Sequence, residues 1–175
     1  MSDYQPPLKE LQFVIDELAD LEQLSQLDGF EDATSDMVEA ILEQAGILAS
    51  EVMTPVNHTG DQHGCWMENG SVVIPPGFTE AYQQFVENGW TGIDQPTEFD
   101  GQGMPYLMQA AVSEMWNASN MALALCPMLT SGSILAINSH AKDELKQQYL
   151  PNMIAGEWTG TMNLTEPQAG SDLSA

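Results

Sequence analysis

Arginine is absent from this 175-residue chain, and lysine occurs only at Lys9, Lys142 and Lys146. Against those three cations stand 26 acidic residues, for a formal net charge of −23 at pH 7. Nucleic-acid binding needs clustered Lys or Arg to neutralise phosphates, so this balance argues against it. An anionic membrane surface would repel the chain for the same reason. Any nucleotide or CoA phosphate must then be held by backbone N–H groups, hydroxyls or groups from outside the chain. Cysteine is scarce as well. Cys65 and Cys126 lie far apart and form no disulfide framework, which points to reduced thiols and a cytoplasmic setting. Met1 to Pro7 has neither the basic nor the apolar region of a signal peptide. No apolar run approaches the roughly 20 residues of a membrane span, so a soluble protein is expected.

What is present is a core. Hydrophobic residues make up 43% of the chain, too many for a disordered one despite its charge. Leu8, Leu11, Ile15 and Leu18 recur at steps of three and four, which predicts a helix ended by Asp28-Gly29. A second helix should begin at Thr34 to Asp36, with a stripe of Val38, Ile41, Leu42, Ala45, Leu48, Ala49 and Val52. Met53 to Gly64 carries Pro55 and should leave the helix. Trp66 to Ile74 is β-like around an Asn69-Gly70 turn. A helix from about Phe78 to Asn88 should close at Gly89, followed by a loop to Pro105 that is dense in Gly and Pro. Helical stretches then follow Pro105 and Ser119, the latter interrupted at Pro127, with a last helix over roughly Lys142 to Tyr149 and Pro151 reshaping the chain after it.

The period then changes. Trp158, Gly160, Met162 and Leu164 alternate with Thr159, Thr161, Asn163 and Thr165, as in a strand. A domain that stopped on its first strand would leave that strand without partners, so truncation near a domain boundary is expected. The fold class is mainly α, in three parts: a helical extension (residues 1–33), a helical domain (34–157) and the start of a β domain (158–175).

The segment Leu164-Thr165-Glu166-Pro167-Gln168-Ala169-Gly170-Ser171-Asp172 reads as a strand end entering a turn with hydroxyls and an approachable glycine. On composition alone it is an ordinary Asx or Ser turn. In order and spacing, however, it resembles the L-T-E-P…G-S-D flavin-binding signature of acyl-CoA dehydrogenases. Gly89-Trp90-Thr91-Gly92 through Pro96, Glu98, Gly101, Gly103 and Pro105 is similar to that family's glycine-rich loop. Lys146 to Leu150, then Gly156-Glu157-Trp158-Thr159-Gly160, is similar to its approach to the strand. The helix of Leu8 to Leu18 is similar to the N-terminal extension of the long bacterial branch that includes 3-methylmercaptopropionyl-CoA dehydrogenases.

The resemblance implies the N-terminal helical domain of the acyl-CoA dehydrogenase fold, cut at the first strand of the middle β domain. It implies FAD as cofactor and α,β-dehydrogenation of an acyl-CoA, with a glutamate removing the α-proton and hydride passing to flavin N5. That glutamate belongs to a C-terminal helical domain beyond Ala175, so no residue here is assigned as catalytic, Glu166 included, and the isolated chain is expected to be inactive. By position, Met162, Leu164 and Thr165 should lie against the flavin ring, and Gly170 and Ser171 against its ribityl–pyrophosphate part. Ser171 also matches a position near the substrate's pantetheine. Met121, Leu125 and Leu129 are candidates for the acyl cavity wall. The family further implies electron-transferring flavoprotein as acceptor, a homo-oligomer and a role in fatty acid metabolism.

Two positions depart from the family pattern. Asp100 replaces a glycine, and Asn163 stands where a small residue is usual and should face away from the flavin. Other candidates are weaker. His58, His63 and Cys65 match no zinc spacing, and Ser131-Gly132-Ser133 lacks the flanks of a nucleophile elbow. The methionines, among them Met104, Met108, Met115, Met121 and Met128, read mainly as core, with a few able to line an adaptable acyl pocket, and Ser131-Gly132-Ser133 reads as a helix-packing position. The alternative reading is a non-catalytic acidic helical module that binds a partner or dimerises.

Overall fold

The computed structural model describes residues 4–172. Helix α1 (Leu8–Phe13) passes into a π-helical turn (Val14–Leu18), and α2 (Leu21–Leu24) follows a break at Asp20. Asp20 takes the left-handed conformation (φ 56°), and its side chain caps α2 by accepting from the Gln23 N–H. The wider π turn shifts the helical register. Leu11, Ile15 and Leu21 are therefore buried, whereas Leu18, expected on the same stripe, is 70% exposed.

Helix α3 (Ser35–Ile47) starts where its cap does: the Thr34 hydroxyl oxygen accepts from the Met37 N–H at 3.3 Å. Val38, Leu42, Ala45, Leu48 and Ala49 are all buried, as the spacing requires. The helix does not leave at Met53. A π-helical stretch (Leu48–Met53) carries it straight into α4 (Thr54–His63), with Pro55 in the first turn. The widened turn offsets the ladder just where proline lacks its N–H, and the Thr54 hydroxyl donates to the Ala49 carbonyl at 2.8 Å.

A hairpin follows, β1 (Trp66–Glu68) antiparallel to β2 (Ser71–Val73), with Asn69 (φ 50°) and Gly70 (φ 82°) at its turn. Helix α5 (Phe78–Glu87) closes at Gly89 (φ 76°) as expected. The glycine-rich loop then folds through two 3-10 turns, Trp90–Gly92 and Thr97–Phe99, and Asp100 takes the left-handed conformation (φ 65°). At Gly101 a Cβ would collide with the Gln95 backbone, so glycine is required there for space.

Helix α6 runs from Tyr106 to His140. Its interruption lies at Asn120 (φ −158°, ψ 85°), beside the boundary expected at Ser119; Pro127, by contrast, sits inside the helix and removes one ladder bond without ending it. By length and composition α6 could cross a membrane, with a mean hydropathy of 1.6 over its most apolar 18-residue stretch, 28% of which is buried. Its first half is nonetheless a core helix that buries Met108, Val112, Met115 and Trp116. Helix α7 (Asp143–Ile154) continues through Pro151, past the expected end at Tyr149.

The main core gathers α1, α3, the π stretch, α5 and the first half of α6 around Trp116. The Trp116 ring meets Phe85 edge-on at 4.7 Å and Trp90 at 5.5 Å. A second cluster, of Phe99, Ile134, Leu150, Met153 and Ile154, ties α7 to the second half of α6. The expected strand at Trp158 to Thr165 forms no ladder among the described residues. Strand geometry needs a partner for its N–H and C=O groups, and the hairpin lies elsewhere.

Candidate functional site

The chain leaves α7 along a path anchored residue by residue. The Thr91 hydroxyl donates to the Ile154 carbonyl at 2.6 Å, and the Tyr82 hydroxyl donates to the Gly156 carbonyl at 3.2 Å. Gly156 (φ 75°) turns the chain where a Cβ would press on Val86. The Glu157 and Trp158 N–H groups both donate to the Asn152 carbonyl, at 3.0 and 3.1 Å. The Trp158 ring tilts onto Tyr149 at 6.0 Å. The Gly160 N–H donates to the Thr130 hydroxyl at 3.1 Å, and an added Cβ at Gly160 would collide with the Ser133 side chain. Gly156 to Trp158 are thus held on α5 and α7, and Gly160 is pressed onto α6.

Thr161 to Leu164 then run beside α6 and close a mainly apolar groove of about 430 Å³ with Met128, Leu129, Gly132 and Ser133. Met162 and Leu164 are 65% and 53% exposed. Past them the chain folds into a tight turn: the Glu166 N–H donates to the Ala169 carbonyl at 2.9 Å, and the Ala169 N–H to the Glu166 carbonyl at 3.2 Å. Thr165, Gly170 and Ser171 lie exposed on either side of this turn, and a Cβ at Gly170 would meet nothing within 4 Å.

Of the residues singled out in the sequence, Met162, Leu164 and Leu129 meet at the groove, while Met121 and Leu125 stand exposed on α6 outside it. Asn163 lines the same groove as its neighbours, since an unpaired segment has no pleat to alternate its side chains. Ser133 donates to the Leu129 carbonyl at 3.0 Å, an intrahelical bond. Among the described residues no group of three potential ligands could hold a metal, so His58, His63 and Cys65 form no site. Met128, one of the methionines that could line an acyl pocket, does line the groove, as does Gly132, expected only as a helix-packing position. Their signal, a large flexible residue one turn before a helical glycine, becomes legible only once the facing segment is placed.

A second cleft of about 490 Å³ abuts the groove on the other side of Met128 and Gly132. It is lined by Pro96, Tyr106, Ala110, Met128 and Leu135 together with amides and hydroxyls from the glycine-rich loop and both halves of α6, and the Asp94 carboxyl borders it. Burial pushes the Asp94 carboxyl above the usual carboxylate range, partly offset by the hydrogen bond it accepts from Gln95 Nε2. Behind α6 lies a third, apolar cavity of about 510 Å³ with Tyr82 and Cys126 in its wall. Burial, with the nearby Cys126 thiol contributing, pushes the Tyr82 hydroxyl up to about 12. Burial also raises the Cys126 thiol.

Residues 35–157 match the family description "Acyl-CoA dehydrogenase, N-terminal domain". The chain belongs to the acyl-CoA dehydrogenase family. It is 42% identical over 171 residues to a 3-methylmercaptopropionyl-CoA dehydrogenase of Ruegeria pomeroyi, covering 98% of this chain and 29% of that protein. It is 31% identical over 177 residues to a butyryl-CoA dehydrogenase of Syntrophomonas wolfei, covering 99% and 29%. A shorter match, 34% over 96 residues, covers 55% of this chain and 24% of an acryloyl-CoA reductase (NADH) of Anaerotignum propionicum. The chain therefore spans about 29% of the length of the first two relatives. The mainly helical fold and the acyl-CoA dehydrogenase membership agree.

Proposed function

We propose that this chain supplies the N-terminal helical part of an FAD-dependent acyl-CoA dehydrogenase, a cytoplasmic enzyme that acts as a homo-oligomer and passes electrons to electron-transferring flavoprotein. The observation that carries the reading is the groove between α6 and Thr161 to Leu164, which runs directly into the Glu166–Ala169 turn. Family membership supports the chemistry, and the geometry supports the division of labour within it.

The residues present fit one edge of a flavin. Met162 and Leu164 offer exposed apolar surface for the ring, and the Thr165 hydroxyl can bond its polar edge. At Gly170 the open space allows close approach of the ribityl–pyrophosphate part, and the Ser171 hydroxyl can donate to a phosphate or to the pantetheine without any cation. When bound, FAD supplies the hydride-accepting ring. This chain's part is to orient that ring, to wall the acyl groove with Leu129 and Met128, and to exclude water from it. The α-proton is left to a glutamate outside these residues, so the chain alone should turn over no substrate and should bind FAD weakly at most.

The test is to express the complete reading frame that carries this chain, record its flavin spectrum and mix it with a panel of acyl-CoAs. Bleaching of the flavin band by at least one thioester is expected. A colourless protein that no added FAD reconstitutes would sink the reading.

A further inference from the structure

Both walls of the apolar groove carry a methionine. Helix α6 contributes Met128, and the segment that closes the groove contributes Met162. Both side chains are open to solvent, at 47% and 65% exposure. Elsewhere the methionines divide clearly. Met53, Met108 and Met115 are at most 1% exposed in the core, whereas Met121 is 58% exposed on α6 outside the groove. An oxidant must reach a thioether sulfur to react with it, so access ranks these side chains by reactivity.

We propose that Met128 and Met162 form a peroxide-sensitive modification site, at which sulfoxidation lowers the affinity of the groove for an acyl chain. The proposal rests on the dehydrogenase reading above, which gives this groove to the acyl chain. In the reaction a sulfur lone pair attacks one oxygen of hydrogen peroxide, the O–O bond breaks, and the other oxygen leaves as water. The sulfur is oxidised by two electrons to the sulfoxide, and the peroxide is reduced. The consequence follows from where the product lies. A thioether is flexible and apolar enough to pack against methylenes, and its neighbours Leu129, Ala136 and Leu164 are apolar as well. A sulfoxide is polar, and its oxygen holds water by accepting hydrogen bonds. An acyl chain that enters the groove must strip that water, and its methylenes return no hydrogen bond. With one sulfoxide on each wall, the chain meets the cost on both sides. Met121 carries no such consequence, because it stands outside the groove.

The experiment treats the full-length enzyme with hydrogen peroxide and reads each methionine by peptide mass. At a dose that converts Met121, Met128 and Met162 should each gain one oxygen, while Met53, Met108 and Met115 stay unmodified. The assay substrate is the acyl-CoA that bleaches the flavin fastest, and its 2-enoyl product serves as an unreactive ligand. Bound product should slow oxidation of Met128 and Met162 severalfold and leave Met121 unaffected. In the oxidised enzyme KM for the substrate should rise about tenfold, the scale of one ordinary hydrogen bond. Methionine sulfoxide reductase should bring it back. Met128→Leu combined with Met162→Leu keeps the groove apolar without a sulfur, and the KM of that enzyme should not respond to peroxide. The proposal falls if both methionines stay unmodified while Met121 reacts, or if bound product gives them no protection. It falls equally if their oxidation leaves KM unchanged, or if the double variant loses affinity as the native enzyme does. Failure of every thioester to reduce the untreated flavin would defeat the dehydrogenase reading, and this inference with it.

Discussion

Asn120 holds Met53 across the bundle: its Nδ2 donates to the Met53 carbonyl at 3.1 Å, 67 residues away in sequence. Its Oδ1 meanwhile accepts from the Leu123 N–H at 3.1 Å and so caps the second half of α6. One side chain, 1% exposed, therefore breaks the long helix and pins the break to the π-helical stretch ahead of α4.

Asn120→Ala should destabilise the chain by roughly 2–4 kcal/mol, because it strands a buried donor and a buried acceptor at once. Asn120→Ser, which retains a capping oxygen but falls short of Met53, should recover part of the loss. Urea unfolding of the three proteins tests this. Equal midpoints for native and alanine forms would show that water satisfies both groups.

Gly160→Ala should detach the segment that closes the groove without unfolding the bundle. The new Cβ would collide with Ser133, including its Cβ at 2.6 Å, and the Gly160 N–H would lose the Thr130 hydroxyl. Hydrogen exchange should show faster exchange over residues 158–164 and little change in α3. Unaltered exchange there would mean that the segment can shift and keep its anchor.

Salt should stabilise the fold strongly. With 26 acidic residues against three lysines, self-repulsion acts over the roughly 30 Å screening length of about 0.01 M salt and shrinks to roughly 3 Å at about 1 M. The melting temperature should climb through that range of sodium chloride. A flat profile would mean that the charges lie too far apart to interact.

Tyr82 should make stability fall at high pH. Its hydroxyl titrates near 10 when unfolded and at about 12 when folded, so the folded state resists losing that proton. Stability is complete below the unfolded value and declines as pH rises from there through the folded one; the raised Cys126 thiol acts in the same direction. Tyr82→Phe should flatten the upper part of this decline, while forfeiting the bond to Gly156, worth about 1 kcal/mol. Melting curves across the alkaline range, read beside tyrosinate absorbance, provide the check; a decline unchanged in the phenylalanine variant would exclude Tyr82 as its source.

Much of the architecture was legible residue by residue because the signals are local. Thr34 caps α3, Asn69-Gly70 turns the hairpin, Gly89 ends α5, and the Val38 to Ala49 stripe is buried. The failures share one cause. Pro55, Pro127 and Pro151 were expected to end or reshape helices, yet each lies within one, since a proline costs a helix one N–H and one clash that π turns or tertiary packing can absorb. The boundary expected at Ser119 falls beside the break at Asn120, although the reason for that break, the Met53 carbonyl, is remote in sequence.

For the site, the order of motifs from Gly89 to Ser171 carried the family and named Met162, Leu164, Thr165, Gly170 and Ser171 as candidates. That much the amino-acid sequence determined by itself: a mainly helical acyl-CoA dehydrogenase segment. Only the tertiary structure decided that Thr161 to Leu164 lie along α6, and that Gly132 and Met128 line both the groove and a second cleft. The physical reason is that a motif records which groups a backbone segment presents, whereas a cavity exists only between segments, and its shape is set by side chains far apart in the chain.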